Sequence, residues 1–325
     1  MNPNTDTRTD IQRAASLLRD GGLVAFPTET VYGLGADATD LTAVARIFEA
    51  KERPSFDPLI VHLADSDWLL RYVESIPPDA QRLADHFWPG PLTLVLPKRP
   101  IIPDIVTAGL PTVAVRVPAH PIAHALLEAA DIPIAAPSAN RFGRISPTTA
   151  DAVRIELGDR VDFVLDGGPT QHGIESTVVA FDDGVRILRP GPITREKLQH
   201  FLGHEIAVVG REKSADGNAL ESPGQLARHY SPRTPMRLVT SVAEFSPSNG
   251  QRVGLLAFQQ PTEGFDLIEV LSDDGDLREA AANLFAALRR LDEAELDLIV
   301  AESVPEHGLG VAIMDRLRKA SSSSF

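Results

Sequence analysis

The chain has 325 residues, long for one ordinary domain, and no cysteine, which excludes disulfides, thiolate nucleophiles, iron–sulfur clusters and cysteine-type zinc sites. Its net charge of −14 is shared at −7 each between residues 1–200 and 201–325, so neither part is an extended platform for a phosphate backbone. With 43% hydrophobic and 23% charged residues the chain can build real cores, and no apolar run approaches the roughly 20 residues that span a bilayer.

In chain order, the polar start MNPNTDTRTD is unlike a signal peptide, and a cytoplasmic protein is expected. Ile11–Arg19 is predicted helical, capped by Asp10 and stopped at Gly21-Gly22. Leu23–Phe26 reads as a short buried strand, with a polar loop from there through Asp37. A helix follows over Leu41–Ala50, where Leu41, Val44, Ala45, Ile47 and Phe48 share a face. Strands are expected at Leu59–Leu63, Leu92–Leu96, Thr112–Val117, Ile134–Ala136, Phe163–Leu165, Ser176–Phe181 and Val185–Leu188. Helices are expected near Gln81–Phe87, Ile122–Ala129, Thr149–Leu157 and Thr194–Leu202. Such mixing means an α/β domain, and the short spacing of the last two strands implies an antiparallel pair in a mixed sheet.

Between Gly210 and Pro235 large apolar residues give way to polar ones, Gly and Pro, the pattern of a linker. Its second half is richer: Ser222-Pro223-Gly224 and His229-Tyr230-Ser231-Pro232 place aromatic and basic groups in a connector. Beyond it, strands at Arg252–Phe258, Leu267–Leu271 and Leu296–Val300 and helices at Leu277–Leu291 and Leu309–Arg318 make a second, small α/β unit. The expected division is 1–205, a linker over 206–235, and 236–325.

Two familiar patterns lead nowhere. Gly33, Gly35 and Ala38 fit a dinucleotide fingerprint, but they stand too far beyond the strand that such a fingerprint must follow. His120 and His124 have a helical metal-ligand spacing, yet Pro121 makes His120 a cap-region residue. Chemistry concentrates instead in four stretches. Phe26–Gly35 is read as exposing Thr28, Glu29, Thr30 and Tyr32 on a stiffened loop. Lys51–His62 gathers two cations and an imidazole, suited to an anion. Pro133–Ser146 combines small residues with hydroxyls, so that backbone N–H groups can meet phosphate. Asp166–Pro169, Gly173–Thr177 and Leu188–Gly191 repeat the theme of hydroxyls beside a guanidinium. The set reads as a site for a nucleotide and a small amino or hydroxy acid, with no covalent nucleophile.

On these residues the chain closely resembles the YrdC-type threonylcarbamoyl-AMP synthases in their long, two-domain form. The resemblance is carried by FPTETVYGLGADA at 26–38, AKERPSFDPLIVH at 50–62, FWPGPLTLVL at 87–96, TVAVRVPAH at 112–120, PIAAPSANRFGRISPTTA at 133–150, DGGPTQHGIESTVV at 166–179, ILRPGPIT at 187–194 and SPGQLARHYSP at 222–232. It implies a YrdC-like twisted mixed sheet with flanking helices and a concave cavity, followed by a small C-terminal Rossmann-like α/β domain. It implies an enzyme, a nucleotidyltransferase that makes threonylcarbamoyl-adenylate and pyrophosphate from L-threonine, bicarbonate and ATP with Mg2+. The product would pass to the machinery that modifies tRNAs reading ANN codons, without stable nucleic-acid binding or a membrane. By the same resemblance Thr30, His62, Arg116, Ala136 and Ser176 would hold threonine. Arg53, Asp57, Thr112, Ser138, Ser146, Arg189 and Tyr230 would hold ATP, with Lys51 and Arg53 as catalytic cations, no protein-held metal, and Tyr230 arriving from the linker as a lid. Two residues depart from the family's usual pattern, Glu52 in place of Gly and Asp57 in place of Asn; Asp57 keeps an acceptor but adds negative charge near a triphosphate. The alternatives left open are a carbamoyl-adenylate enzyme for another acceptor and an RNA-binding or regulatory homologue.

Overall fold

A computed structural model describes residues 5–182, 184–209, 220–224, 226, 229–246, 248, 250–260 and 263–321. The first unit opens with helix α1 (Thr5–Arg19) and the hairpin β1 (Val24–Phe26) and β2 (Gly33–Asp37), then α2 (Leu41–Lys51) and β3 (Ile60–His62). It continues through α3 (Leu69–Tyr72), α4 (Pro78–Phe87), β4 (Leu92–Pro97), α5 (Asp104–Thr107), β5 (Thr112–Arg116), α6 (Pro121–Ala130) and β6 (Ile134–Ala135). It closes with α7 (Ala150–Leu157), β7 (Phe163–Val164), β8 (Thr177–Ala180), β9 (Arg186–Arg189), α8 (Arg195–Leu202) and β10 (Ala207–Val208). The strands form one mixed ten-stranded sheet in the order β10-β9-β8-β4-β5-β3-β6-β2-β1-β7. As the spacing predicts, β8 and β9 run antiparallel.

Two expectations change. The first helix begins six residues earlier than predicted, at Thr5, so Asp10 lies inside it and does not cap it. The stretch expected to be loop through Asp37 contains β2. Two glycines hid this strand, because glycine lowers strand propensity. Gly35 is required by packing, since a Cβ there would stand 2.7 Å from Ile134 Cγ2 and 2.8 Å from the Phe26 ring, whereas one on Gly33 would stand 3.2 Å from Ala136 Cβ. His120 does cap α6, its Nδ1 accepting from the Ile122 N–H at 3.2 Å.

Side chains alternate across each strand, and here the alternation sorts core from site. Val61, Leu94, Leu96, Val113, Val115, Ala135 and Val179 point into the main core beneath α2, α4, α7 and α8. On the other face, α1 and α6 cover the β1–β2–β6 end, burying Val24, Phe26, Ile134 and Ala136. Farther along that face, only a small cluster of Ile60, Val95, Ala114, Val178, Ala180 and Leu188 forms the floor. The uncovered region is where the cavity lies.

The second unit has β11 (Met236–Val239), β12 (Val253–Ala257), β13 (Leu267–Val270), α9 (Leu277–Glu293), β14 (Leu298–Glu302) and α10 (Gly310–Ser321). Its four strands are all parallel in the order β11-β14-β12-β13, a Rossmann-like arrangement in which β11 had escaped sequence reading. The two units share one apolar cluster: Val31, Ile145, Ile174 and Tyr230 pack with Leu284, Phe285, Ile313 and their neighbours from the second.

Candidate active site

The cavity has a volume of about 50 Å3 and opens at the carboxyl ends of β3 and β5, where open α/β sheets carry their ligands. Nine of the thirteen residues singled out from the sequence line it: Thr30, Arg53, His62, Arg116, Ala136, Ser138, Ser176, Arg189 and Tyr230.

Arg116, the last residue of β5, is fixed at all three guanidinium nitrogens. Nε donates to Gly90 O at 3.2 Å, Nη1 to Thr30 Oγ1 at 2.9 Å, and Nη2 lies 2.6 Å from Glu29 Oε1. Burial pushes the Glu29 carboxyl up, but Arg116 and backbone N–H groups of Glu29 and Ala119 together offset that and hold it below the usual carboxylate range. Thr28, Glu29, Thr30 and Tyr32 are therefore not exposed as the loop's polarity suggested; all four are buried. The loop is tied down by Tyr32, whose hydroxyl donates to Gly168 O at 2.8 Å, and by the His172 N–H, which donates to Glu29 O at 2.8 Å. His62 stands edge-on to Phe26, and burial together with Arg116 pushes its pKa down to about 3. It is a neutral imidazole at physiological pH.

A second cationic pole lies across the cavity. Arg189 donates from Nε to Ser176 O and from Nη2 to Ser176 Oγ, both at 3.0 Å, and Ser176 Oγ is also within 2.8 Å of Thr93 Oγ1. Arg53 donates to Asp57 O at 3.1 Å and Pro58 O at 2.7 Å and pairs with the Asp57 carboxylate at 3.0 Å. Burial pushes the Asp57 carboxyl up, against the pull of Arg53, Lys51 and Arg189. The charge added by Asp57 is thus met by Arg53. Glu52 points elsewhere: it ends α2 in the left-handed region at φ 54°, and its exposed carboxylate pairs with Arg160.

Four expected site residues stand outside the cavity lining. Lys51 is fully buried, and its Nζ donates to Ser138 O at 2.5 Å and to Asn140 O. Its amine is spent on holding the 138–140 backbone and does not face the cavity. Asp57 lies behind Arg53. Ser146 sits just beyond the lining residue Glu175, donating its hydroxyl to Oε1 at 2.6 Å. Thr112 is at the opposite end of β5 from Arg116, in a neighbouring groove of about 380 Å3 lined also by Val95, Ala180, Leu188 and Glu221. Ile60 of the cavity packs with Val95 and Leu188 of that groove, so one apolar floor runs beneath both.

The roof comes from the connector, which α10 holds from behind. Tyr230 is buried at φ 63°, stacked on Phe285 at 5.4 Å, with its hydroxyl pushed above the ordinary phenol range by burial. The Ser231 N–H donates to Gly143 O at 2.8 Å, and the Leu220 N–H to Phe56 O at 3.2 Å. Lys319 Nζ donates to Gly224 O at 2.7 Å. A side chain at Gly224, where φ is +83°, would come within 3.0 Å of the Tyr230 hydroxyl. Sequence reading missed Glu175, His229, Arg316 and Lys319. Glu175 and His229 sit inside quoted motifs, but nothing in an amphipathic C-terminal helix marks its cations as reaching a site in another unit.

Two family models match the chain, one described as telomere recombination (Sua5, YciO and YrdC) over residues 16–191 and one described as the C-terminal domain of threonylcarbamoyl-AMP synthase over 193–322. Curated threonylcarbamoyl-AMP synthases of Pyrococcus abyssi and Bacillus subtilis are each 44% identical, over 96% and 95% of this chain and 94% and 92% of their own. The crystal structure of P. abyssi Sua5 complexed with L-threonine superposes with a TM-score of 0.90 at 43% identity, covering 97% of this chain and 94% of that one.

Proposed function

This chain belongs to the Sua5, YciO and YrdC family in its two-domain form, and from that premise we propose that it condenses L-threonine, bicarbonate and ATP into threonylcarbamoyl-adenylate, water and pyrophosphate. The observation that carries this reading is one cavity lined by two guanidinium poles, Arg116 beside Thr30 and Arg189 beside Ser176, with the small residue Ala136 also in its lining. One pole suits a carboxylate and the other a phosphate chain.

Threonine sits with its carboxylate on Arg116 and its side chain toward Thr30 and His62. Neutral His62 offers a hydrogen bond without a second charge. The amine, having lost a proton, joins the carbon of bicarbonate with loss of water, giving an N-carboxylate. An oxygen of that carbamate attacks the α-phosphorus, and the bond to the β-phosphate oxygen breaks with departure of pyrophosphate. The site contributes positioning and charge stabilisation. ATP lies with its phosphates toward Arg53, Ser138, Ser146 and Arg189 and its nucleoside over the apolar floor toward Thr112. The described part of the connector, Pro223, Gly224, His229 and Tyr230, is the lid that keeps water from the carbamate and the mixed anhydride.

The described residues contain no group of three or more His, Asp or Glu side chains able to hold a metal. We place a Mg2+ ion on the triphosphate, where Glu175 is the carboxylate of the cavity lining. When bound, the ion would withdraw charge from the phosphates. No helix among the described residues is long and apolar enough to cross a membrane. The proposed setting is the cytoplasm, where the product passes to the enzyme that transfers the threonylcarbamoyl group to tRNA.

The test is pyrophosphate release with ATP, Mg2+, bicarbonate and L-threonine, with serine and bicarbonate-free controls. Release that requires threonine and bicarbonate, with an adenylate of the corresponding mass, supports the reading; release indifferent to threonine points to another acceptor. Arg116→Lys, which loses the planar fork, should raise KM for threonine by about tenfold or more while KM for ATP changes little.

A further inference from the structure

Helix α10 belongs to the four-stranded unit, yet it sends Arg316 across the unit boundary to the lining residue Glu175, behind the cavity surface. Arg316 is fully buried. Its Nε lies 3.2 Å from Glu175 Oε2, its Nη1 donates to Pro190 O at 2.6 Å, and its Cζ is 5.6 Å from the Tyr230 ring centroid. Nη2 has no hydrogen-bond partner. One guanidinium therefore touches a wall carboxylate, the backbone next to Arg189, and the lid's aromatic ring. The other charged groups around it are Asp315, 3.2 Å from Nη1 and also paired with Lys319, and Arg189.

Glu175 is the difficulty that Arg316 answers. It lines the cavity, is buried, and accepts the Ser146 hydroxyl, so it orients a group of the nucleotide half. An uncompensated carboxylate there would repel a polyphosphate, and strongly, because few water dipoles screen it. Burial pushes this carboxyl up, but Arg316, Arg189 and the Ser146 hydroxyl hold it below the usual range, so it stays ionised and paired.

We propose that Arg316 is a positioning residue for ATP: by neutralising Glu175 it allows a carboxylate that orients Ser146 to stand in the wall of a cavity that receives phosphates. The second unit thereby contributes to nucleotide binding through one cation. The proposal rests on the placement of the phosphates near Ser146 and Arg189 given above.

The sign of single and double substitutions tests it, with KM for ATP and for threonine measured on the full chain and fold checked by thermal unfolding. Arg316→Met leaves Glu175 charged and should raise KM for ATP about tenfold or more with little effect on KM for threonine. Glu175→Gln keeps an acceptor for Ser146 and leaves an extra positive charge, so KM for ATP should hold or fall. The double variant should recover to within about threefold of the wild type, because both charges are gone. Arg316→Lys, which keeps the charge, should lie between. Should Arg316→Met fail to fold, Arg316→Lys and Glu175→Gln still decide the sign. A double variant as weak as Arg316→Met, or a Glu175→Gln that weakens ATP as much, overturns the proposal in favour of a purely structural contact. Ser146→Ala and Arg189→Lys run in parallel: if neither changes KM for ATP, the phosphate placement itself fails. If they raise it while Arg316→Met does not, only the role of Arg316 fails.

Discussion

His62 and His229 are both buried imidazoles in a cationic neighbourhood, and both are held below the ordinary value of 6.5, His62 at about 3 by burial and Arg116, His229 by burial and then Arg53 and Lys319. Below pH 6.5 the unfolded chain binds a proton at each that the folded chain does not. Stability therefore falls as pH falls through that window, by about 1.4 kcal/mol per pH unit for each histidine once the unfolded group is fully protonated. Thermal unfolding between pH 7 and 4.5 should show the decline, to which His120 and His172, also lowered by burial, contribute, and His62→Asn should make it measurably shallower. An unchanged slope would mean that His62 is charged in the folded protein. At this scale the hydroxyls and arginines of the site were legible, because Pro, Gly and small residues framed them. Glu175 was not legible, since its meaning depends on Arg316, 141 residues away.

Among the elements, the loop before β8 and helix α9 come together at one residue. Gly173 has φ +69°, and a Cβ there would meet the carbonyl oxygens of Ala281 and Ala282 at 2.4 Å each. Gly173→Ala adds both a strained backbone and a clash against a helix that cannot yield. It should cost about 2 kcal/mol or more, seen as a lower Tm with the far-ultraviolet spectrum retained. Lys51→Met should act locally instead. It removes the donor shared by the Ser138 and Asn140 carbonyls, so ATP-dependent kcat/KM should drop by about tenfold or more. A loss confined to threonine would contradict the placement of that loop on the nucleotide side. Strands with clear apolar runs, such as Leu92–Pro97 and Thr112–Arg116, were readable from period and composition. Gly33–Asp37 and Met236–Val239 were not; the first is a strand because Phe26 and Ile134 need the room, a tertiary reason invisible along the chain.

Across the whole molecule, the two sheets are joined by the cluster in which Tyr230 and Phe285 stack and Ile174 meets α9 and its neighbours. A core shared in this way predicts one calorimetric transition for both units. Phe285→Ala opens a hole in the shared cluster, costs about 3–5 kcal/mol, and should split or broaden that transition while raising KM for ATP. Two resolved transitions in the wild-type chain would show that the units unfold independently. The presence of a second α/β unit was evident from the sequence, but its hold on the first was not, since Arg316, Lys319 and Arg289 look like ordinary surface cations until α9 and α10 are docked.

The cavity volume of about 50 Å3 has a temporal consequence. A nucleotide needs a chamber on the order of 300 Å3 or more, so it must either reach into the neighbouring groove of about 380 Å3 or part the walls of the cavity. Where the walls part, each cycle includes one excursion to admit cargo and another to discharge it. If those excursions set the pace, the enzyme turns over against the drag of its solvent, and sucrose or glycerol should slow kcat in step with viscosity.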